Sequence, residues 1–311
     1  MSSSTGPDDR PPDPSLNAIM SERSRLINLA YRMLGSLADA EDVVQETYAR
    51  WYAMTPLEQA AIETPVAWLT KVASRICLDQ LRSARVRRES YVGEWIPEPL
   101  PDRTDWTDVR SGDAAVDPAD RVTLDESLNM AFLVVLESMT PAERVAFILH
   151  DVFRYPFADV AEVVGRTPAA SRQLASSARR RIRESHEPPT PTAQSAHIVR
   201  DFKQAWEAKD IAALVGLLDP DATLIADGGG RVRAQLVPIE GAAQIAQLAI
   251  DILGLAPDLT IVERTVNGQP GIVAQQDGAT VTVMAFEVAG DRITHIWAQR
   301  NPEKLRSWIT D

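Results

Sequence analysis

The spacing of apolar residues changes character along this chain, and that change constrains what it can fold into. As far as about residue 217, apolar side chains recur every three to four positions, the pattern of amphipathic helices. Beyond it come "ATLIAD", "LTIVERTV", "GIVAQQ", "ATVTVMAFEV" and "RITHIWAQR", rich in Val, Ile and Thr and separated by Gly, Asn and Asp. These read as strands, with one more helical stretch, "GAAQIAQLAIDILG", among them. A long helical portion followed by a run of antiparallel strands predicts all-α units ahead of an α+β domain. The 311 residues are more than one ordinary domain needs.

Within the helical portion the boundaries are marked locally. In "DAEDVVQETYARWY" the residues Ala40, Val43, Val44, Thr47, Tyr48 and Trp51 form one stripe, and Asp39, Asp42, Gln45 and Glu46 lie off it. Asp39 and Glu41 sit near the helix start, where negative charge suits the dipole. Thr64 and Pro65 open a second helix, in which Val66, Leu69, Val72, Ala73, Ile76 and Leu81 face inward while Arg75, Asp79 and Arg82 do not. Residues 89–120 carry Pro97, Pro99, Pro101 and Pro118 with several aspartates and no sustained period, and read as an acidic linker in which Trp95 and Trp106 make local contacts. Helical spacing resumes over 121–186, where Thr140 and Pro141 start a helix, and "HEPPTPTAQS" closes it as a second linker. The organisation is a disordered leader over 1–16, helical domains over 17–88 and 121–186, linkers over 89–120 and 187–194, and an α+β domain over 195–311.

Charge is segregated in a chain whose formal net charge is −12. Acids dominate from Asp39 to Glu63. Basic residues follow at Lys71, Arg75, Arg82, Arg85, Arg87 and Arg88, and Arg172, Arg179, Arg180, Arg181 and Arg183 crowd one later segment. Blocks of opposite sign suit separate partners. The first residues have no apolar core of a signal peptide, and no apolar run is long enough for a membrane span, so a cytoplasmic protein is expected. One cysteine and four scattered histidines leave no metal-ligand set, and no cofactor is expected.

The arginine segment has its own geometry. "ADVAEVV" reads as a short helix, Gly165 supplies a left-handed break, and Thr167 with Pro168 starts the next helix. Leu174, Ala178 and Ile182 share the inner stripe of that helix, and Arg172, Ser176, Arg179 and Arg183 another face, with Gln173 and Arg180 beside them. Helix, turn and arginine-bearing helix match a helix-turn-helix, whose Arg and Gln suit base edges and whose Arg and Ser suit phosphates. A helical hairpin with a basic outer face is the plainer alternative.

The segments "AEDVVQETYARWY", "TPVAWLTKVASRICLDQLRS" and "MTPAERVAFILHDVFRYPFADVAEVVGRTPAASRQLASSARRRI", in this order with an acidic linker, resemble bacterial extracytoplasmic-function RNA polymerase sigma factors. The resemblance spans roughly residues 17–186 and implies sigma domain 2, then sigma domain 4. It implies that Asp39, Glu41, Asp42, Gln45 and Glu46 dock on core RNA polymerase. It places Arg75, Asp79, Arg82 and Arg85 at the minus-ten promoter element, and Arg172, Gln173, Ser176, Arg179 and Arg180 at the minus-thirty-five element. Trp68 holds the place of a family tryptophan and reads mainly as core.

The chain then continues for more than a hundred residues. The extension resembles the SnoaL-like, nuclear-transport-factor-like fold, a cone-shaped α+β domain. "YVGEWIPEP", "DGGGR" and "NPEKL" are similar to motifs of the SigJ-like subgroup that carries such an extension. That subgroup has Leu at Ile96, Lys at Arg231 and Asp at Glu303. The resemblance implies regulation in cis, with Trp95, Pro97, Asp227, Gly228, Gly229, Gly230, Asn301 and Pro302 as contact points between domains. Locally, "DGGG" either brings backbone close to another surface or makes a flexible turn, and Asn301 with Pro302 starts a terminal helix. Related folds include enzymes with Asp or His acid–base pairs. Asp227, Asp277 and His295 are available, but nothing in the sequence brings two together, so no catalysis is expected. A cavity for a small ligand of unstated identity is compatible with the fold. The alternatives are a SnoaL-like enzyme fused to a DNA-binding module, or a DNA-binding regulator that works without polymerase.

Overall fold

The computed structural model describes residues 22–88, 91–101, 128–185, 190 and 192–309, with backbone alone at 84–88 and 185. The leader, Trp106, Pro118 and most of the acidic linker lie outside these residues. The first helical unit consists of α1 (Arg23–Leu34), α2 (Leu37–Tyr52), α3 (Pro56–Ala60) and α4 (Pro65–Arg88). Ser36 caps α2, its hydroxyl accepting from the Asp39 amide at 3.2 Å. The α2 stripe is buried at Ala40, Val43, Val44, Thr47 and Trp51, with Tyr48 half-buried. In α4, Leu69, Ala73, Ile76, Cys77 and Leu81 face the core.

The second unit contains α5 (Met130–Glu137), α6 (Pro141–Phe147) running into a π-helical turn (Ile148–Val152), α7 (Phe157–Val164) and α8 (Pro168–Ser185). Thr140 and Glu143 form a capping box at the start of α6. Gly165 has φ 69°, and the Thr167 hydroxyl accepts from the Ala170 amide at 3.2 Å, so the break between α7 and α8 forms as its residues predict. Ser171, Ala175 and Ala178 are fully buried, with Leu174 and Ile182 half-buried beside them. The two helical units share one hydrophobic core rather than standing apart.

The last portion starts with α9 (Thr192–Glu207) and α10 (Ile211–Leu217). Left-handed Lys209 (φ 57°) breaks the chain between them, and Asp210 caps α10. Then follow β1 (Leu218–Asp227), β2 (Ile239–Glu240), α11 (Ala242–Leu255), β3 (Thr260–Val266), β4 (Gln269–Gln276), β5 (Ala279–Ala289) and β6 (Arg292–Gln299). The strands form one sheet in the order β2-β1-β6-β5-β4-β3. The α+β architecture is as expected, with a correction: β1 and β6 pair in parallel, not antiparallel. Parallel neighbours need a crossover, and the long return through α11 supplies it. Asn267–Gly268 and Asp277–Gly278 have positive φ at both residues, the geometry of two-residue hairpin turns. The terminal helix expected at Asn301 is instead two 3-10 turns, Pro302–Lys304 and Arg306–Trp308, although Asn301 caps the first as anticipated.

Both faces of this sheet are covered. Successive residues point to opposite faces, and Ile272, Met284, Phe286, Ile296 and Ala298 pack with Phe202, Trp206, Leu214 and Ile245 from the helices. Val273, Val283, Ala285 and Trp297 pack on the other side with Ile96, Met130, Ala131, Leu305 and Trp308. The uninterrupted apolar run in β5 follows from this double burial.

Candidate functional site

The segment expected to be a linker is, over 91–101, an extended strap held between the first helical unit and the sheet. Its sequence, "IPEPLP" over 96–101, alternates residues that carry an amide hydrogen with prolines that do not. Each such amide in this run is used. Ile96 N donates to Asp227 Oδ2 at 3.1 Å, Glu98 N to Gly35 O at 2.8 Å, and Leu100 N to Asn267 Oδ1 at 3.0 Å. The acceptors are used too, since Tyr31 Oη donates to Glu98 O at 2.6 Å and Trp308 Nε1 to Pro99 O at 2.9 Å. Ile96 and Leu100 are each 1% exposed and Glu98 5%. Burial is possible because the backbone polar groups find partners and the prolines have no donor to satisfy.

Asp227, at the end of β1, is the node. Its fully buried carboxylate accepts from Tyr91 Oη at 2.7 Å, Ile96 N, Gly229 N at 2.9 Å and Gln299 Nε2 at 3.2 Å. Lys304 Nζ pairs with it at 2.7 Å and also donates to Ile96 O at 2.6 Å. The ammonium lies 4.1 Å from the centroid of Trp95 and 5.4 Å from that of Tyr91, so aromatic faces complete its shell. Trp95 in turn packs on Gly35, where a Cβ would come within 2.8 Å of the ring. Burial next to the Asp227 charge pushes the Tyr91 hydroxyl well above its usual range, keeping it a donor. Of the residues expected between domains, Trp95, Asp227 and Asn301 meet here directly, and Pro97 is buried in the strap.

The glycine motif is the close-approach alternative, not the flexible one. Gly229 has φ 61°, and a Cβ there would come 2.3 Å from Asn301 Nδ2. One at Gly228 would meet Val232 O at 2.5 Å, and one at Gly230 would meet Val92 Cβ at 3.0 Å. Gly229→Ala is therefore expected to lower stability by about 2 kcal/mol through strain and displacement of Asn301. A loss below about 0.5 kcal/mol in chemical denaturation would contradict this packing. Arg231 and Glu303, both departures from the subgroup pattern, pair with each other at 2.5 Å. At this exposure the pair adds little stability.

Tyr31, Glu98 and Asn267 form a second junction. Asn267 Nδ2 donates to Tyr31 Oη at 3.0 Å while its backbone N donates to Leu100 O at 2.9 Å. Glu98 Oε2 accepts from Leu37 N, the first amide of α2, at 2.8 Å. Burial pushes the Glu98 carboxyl up to about 7 against the pull of the Leu37 amide and Lys304. Sequence reasoning missed Tyr31, Tyr91, Glu98, Asn267, Gln299, Lys304 and Trp308. The one available signal was the regular alternation of prolines with donors.

The expected binding residues are arranged on three surfaces. Asp39, Asp42, Gln45 and Glu46 are exposed along α2, and Glu41 is half-buried, 3.9 Å from Arg23. On α8, Arg172, Gln173, Ser176 and Arg180 are exposed, and the Arg172 guanidinium lies over Phe157. Arg179 is half-buried and pairs with Asp151 at 2.8 Å. On α4, Asp79 and Arg82 pair with each other at 3.1 Å. The side chain of Arg85 lies outside the described residues. Trp68 is half-buried, edge-on to Trp51.

Arg75 does not face open solvent alone. The second helical unit lies against α4: Lys71 pairs with Glu162 of α7, and Arg75 Nη2 donates to Glu162 O at 2.9 Å. Further contacts tie the two units. Arg144 Nη1 donates to Met33 O at 2.9 Å, Arg25 Nη2 to Tyr155 Oη at 3.1 Å, and Tyr155 Oη to Thr70 Oγ1 at 3.0 Å.

The acid–base candidates do not converge. Asp227 is consumed in its ion pair, and Asp277 occupies a hairpin turn. His295 pairs with Glu287 at 2.8 Å and stacks on Trp297. In the β1–β6 register His295 faces Thr223, four residues before Asp227, or about 13 Å along the strand.

Residues 18–87 match the Sigma-70 region 2 family, and residues 129–182 the Sigma-70, region 4 family. The chain is 37% identical to the ECF RNA polymerase sigma factor SigJ of Mycobacterium tuberculosis, covering 91% of this chain and 90% of that one. It is 34% identical to the probable ECF RNA polymerase sigma factor SigI of the same species, over 94% and 95% of the two chains. Its fold superposes on the crystal structure of Mycobacterium tuberculosis SigJ with a TM-score of 0.70 at 33% identity, covering 94% of this chain and 98% of that one. These likenesses run through strap, latch and sheet as well as the two helical units, and the chain belongs to the ECF RNA polymerase sigma factors, among the SigJ-like members with a C-terminal SnoaL-like domain.

Proposed function

We infer that this sigma factor rests in a packed, promoter-incompetent arrangement that its C-terminal domain helps set, and that engaging polymerase and promoter separates domains 2 and 4. The observation that carries this is Glu162. An acid of the helix-turn-helix takes up Lys71 and the Arg75 guanidinium on α4, where the family resemblance puts minus-ten recognition. The minus-ten and minus-thirty-five elements are roughly 25 base pairs apart, about 85 Å of duplex at 3.4 Å per pair. Domains 2 and 4 in side-chain contact cannot span that distance, so binding both elements requires them to part. The latch at Asp227 and Lys304 is suited to the control of this step. It fastens the strap that leaves domain 2 to the last two turns of the C-terminal domain.

On this reading the exposed acids of α2 meet core polymerase, and Arg172, Gln173, Ser176 and Arg180 meet the minus-thirty-five element. The protein works in the cytoplasm, where polymerase and chromosome are. Its action is binding rather than turnover, which the separation of Asp227 from His295 supports. The experiment is run-off transcription with purified core polymerase. Arg172→Ala is expected to weaken promoter binding by about 1–3 kcal/mol with relaxed specificity at its base. Arg179→Ala is expected to act partly through the lost Asp151 contact. Reversing charge at Asp42 and Glu46 is expected to reduce polymerase affinity with folding intact, since both lie off the buried stripe. Wild-type transcription by all these variants over a range of salt would overturn the assignment.

A further inference from the structure

The contact between domains 2 and 4 encloses a cavity of about 270 Å³. Trp68 and Ser74 of α4 line it from one side, and Leu149, Tyr155, Val160 and Val163 of domain 4 from the other. Its wall is mainly apolar, with Lys71 and Glu162, already paired to each other, also lining it. The polar groups within it are spoken for with one exception. Tyr155 Oη bonds to Arg25 and Thr70, and Thr70 Oγ1 donates to Val66 O at 3.0 Å. Ser74 is 0% exposed, and among the described residues its hydroxyl has no hydrogen-bond partner. A buried hydroxyl without a partner is costly and calls for a group that satisfies it. An apolar cavity of roughly 150 Å³ takes up benzene, so this one has room for two fused rings.

We propose that the domain 2–domain 4 interface is a binding site for a small uncharged molecule, about two rings in size, apolar over most of its surface and carrying one hydroxyl-like group that bonds to Ser74. The site has walls from both domains and exists only while they are packed. An occupant therefore stabilises the packed arrangement by mass action and opposes the separation that promoter binding requires. This rests on the reading of the packed arrangement given above and adds a ligand to it. Ligand pockets occur preferentially at domain interfaces, and this one adjoins the helix assigned to the minus-ten element.

The test uses the full chain with 1-naphthol and naphthalene as probes, followed by calorimetry and by amide shifts in α4 and α7. Wild type is expected to bind 1-naphthol more tightly than naphthalene by roughly three- to tenfold, the worth of one hydrogen bond. Ser74→Ala, which removes the unmet hydroxyl and leaves the packing intact, is expected to abolish that preference while still binding naphthalene. Saturating 1-naphthol is expected to weaken promoter binding by wild type in the presence of core polymerase. If neither probe binds while spin labels on Ala61→Cys and Glu184→Cys report one short interdomain distance, the site is refuted and the packed reading stands. Binding without preference, or a preference that survives Ser74→Ala, means the hydroxyl is met by solvent and also refutes the proposed site. If the labels report separated domains in the free chain, the packed reading fails and the site fails with it.

Discussion

Replacing Lys304 by methionine is expected to lower stability by about 3–5 kcal/mol, the range for removing one partner of a buried ion pair. The Lys304 side chain is 11% exposed and the Asp227 side chain 0%. Methionine keeps much of the volume between Trp95 and Tyr91, so the loss reports the charge rather than a cavity. Asp227 would retain its bonds from Tyr91, Ile96, Gly229 and Gln299, which favours the lower end of the range. The effect should be concentrated in the strap. In hydrogen exchange the Ile96, Glu98 and Leu100 amides are expected to lose protection, while those of the buried α2 stripe keep theirs. Adding Asp227→Asn, which removes the orphaned charge, is expected to recover part of the loss, because the two residues form one network. Strap amides that exchange in Lys304→Met as slowly as in wild type would show that the latch does not hold the strap.

Strap docking is also expected to weaken as pH rises between about 4.5 and about 7, through Glu98. Burial raises its carboxyl from the ordinary value of 4.5 to about 7, so the docked strap binds the proton more tightly than the released one. The linkage sign follows: docking is favoured as pH falls through this window and is weakest, as far as this group is concerned, above pH 7. At 1.36 kcal/mol per unit the effect amounts to a few kcal/mol. Asp39 and Glu41, on the α2 helix that Glu98 abuts, add to the upward push, and the Leu37 amide and Lys304 oppose it. Glu98→Gln keeps an acceptor for the Leu37 amide without a charge. It should flatten the dependence and hold the strap more firmly than wild type at pH 8. The check is exchange of the Leu100 amide between pH 5.5 and pH 8, corrected for intrinsic exchange. Equal slopes in wild type and variant would remove Glu98 from the account.

What the sequence made legible follows from the range over which its signals act. The α2 stripe, the capping box at Thr140 and the Gly165–Thr167 break depend on neighbours within one or two turns, and all three formed as read. The paired glycine turns after Asn267 and Asp277 are equally local. The strap was not legible as a packed element, because its prolines acquire their meaning only from acceptors far along the chain. Asp227, Asn267 and Lys304 lie more than a hundred residues beyond it. "NPEKL" showed its cap but not its purpose, since nothing local says that the lysine turns inward. The parallel pairing of β1 with β6 was hidden for the same reason. It depends on where the crossover through α11 returns the chain, not on the composition of either strand. The apolar runs in β5 and β6 did carry a usable hint, because a strand apolar on both faces must be covered on both.

The central claim is that domains 2 and 4 are packed in the free chain and part on the promoter. It is tested most directly by the distance between spin labels on Ala61→Cys in domain 2 and Glu184→Cys in domain 4, two exposed positions that leave buried Cys77 in place. The distance should be measured on the free protein and again in complex with core polymerase and promoter DNA. The account predicts one short, narrow distribution in the free chain and a shift to several tens of ångströms longer in the complex, as the roughly 85 Å between the two elements demands. The same short distribution in both states, or a broad long one in the free chain, would contradict it.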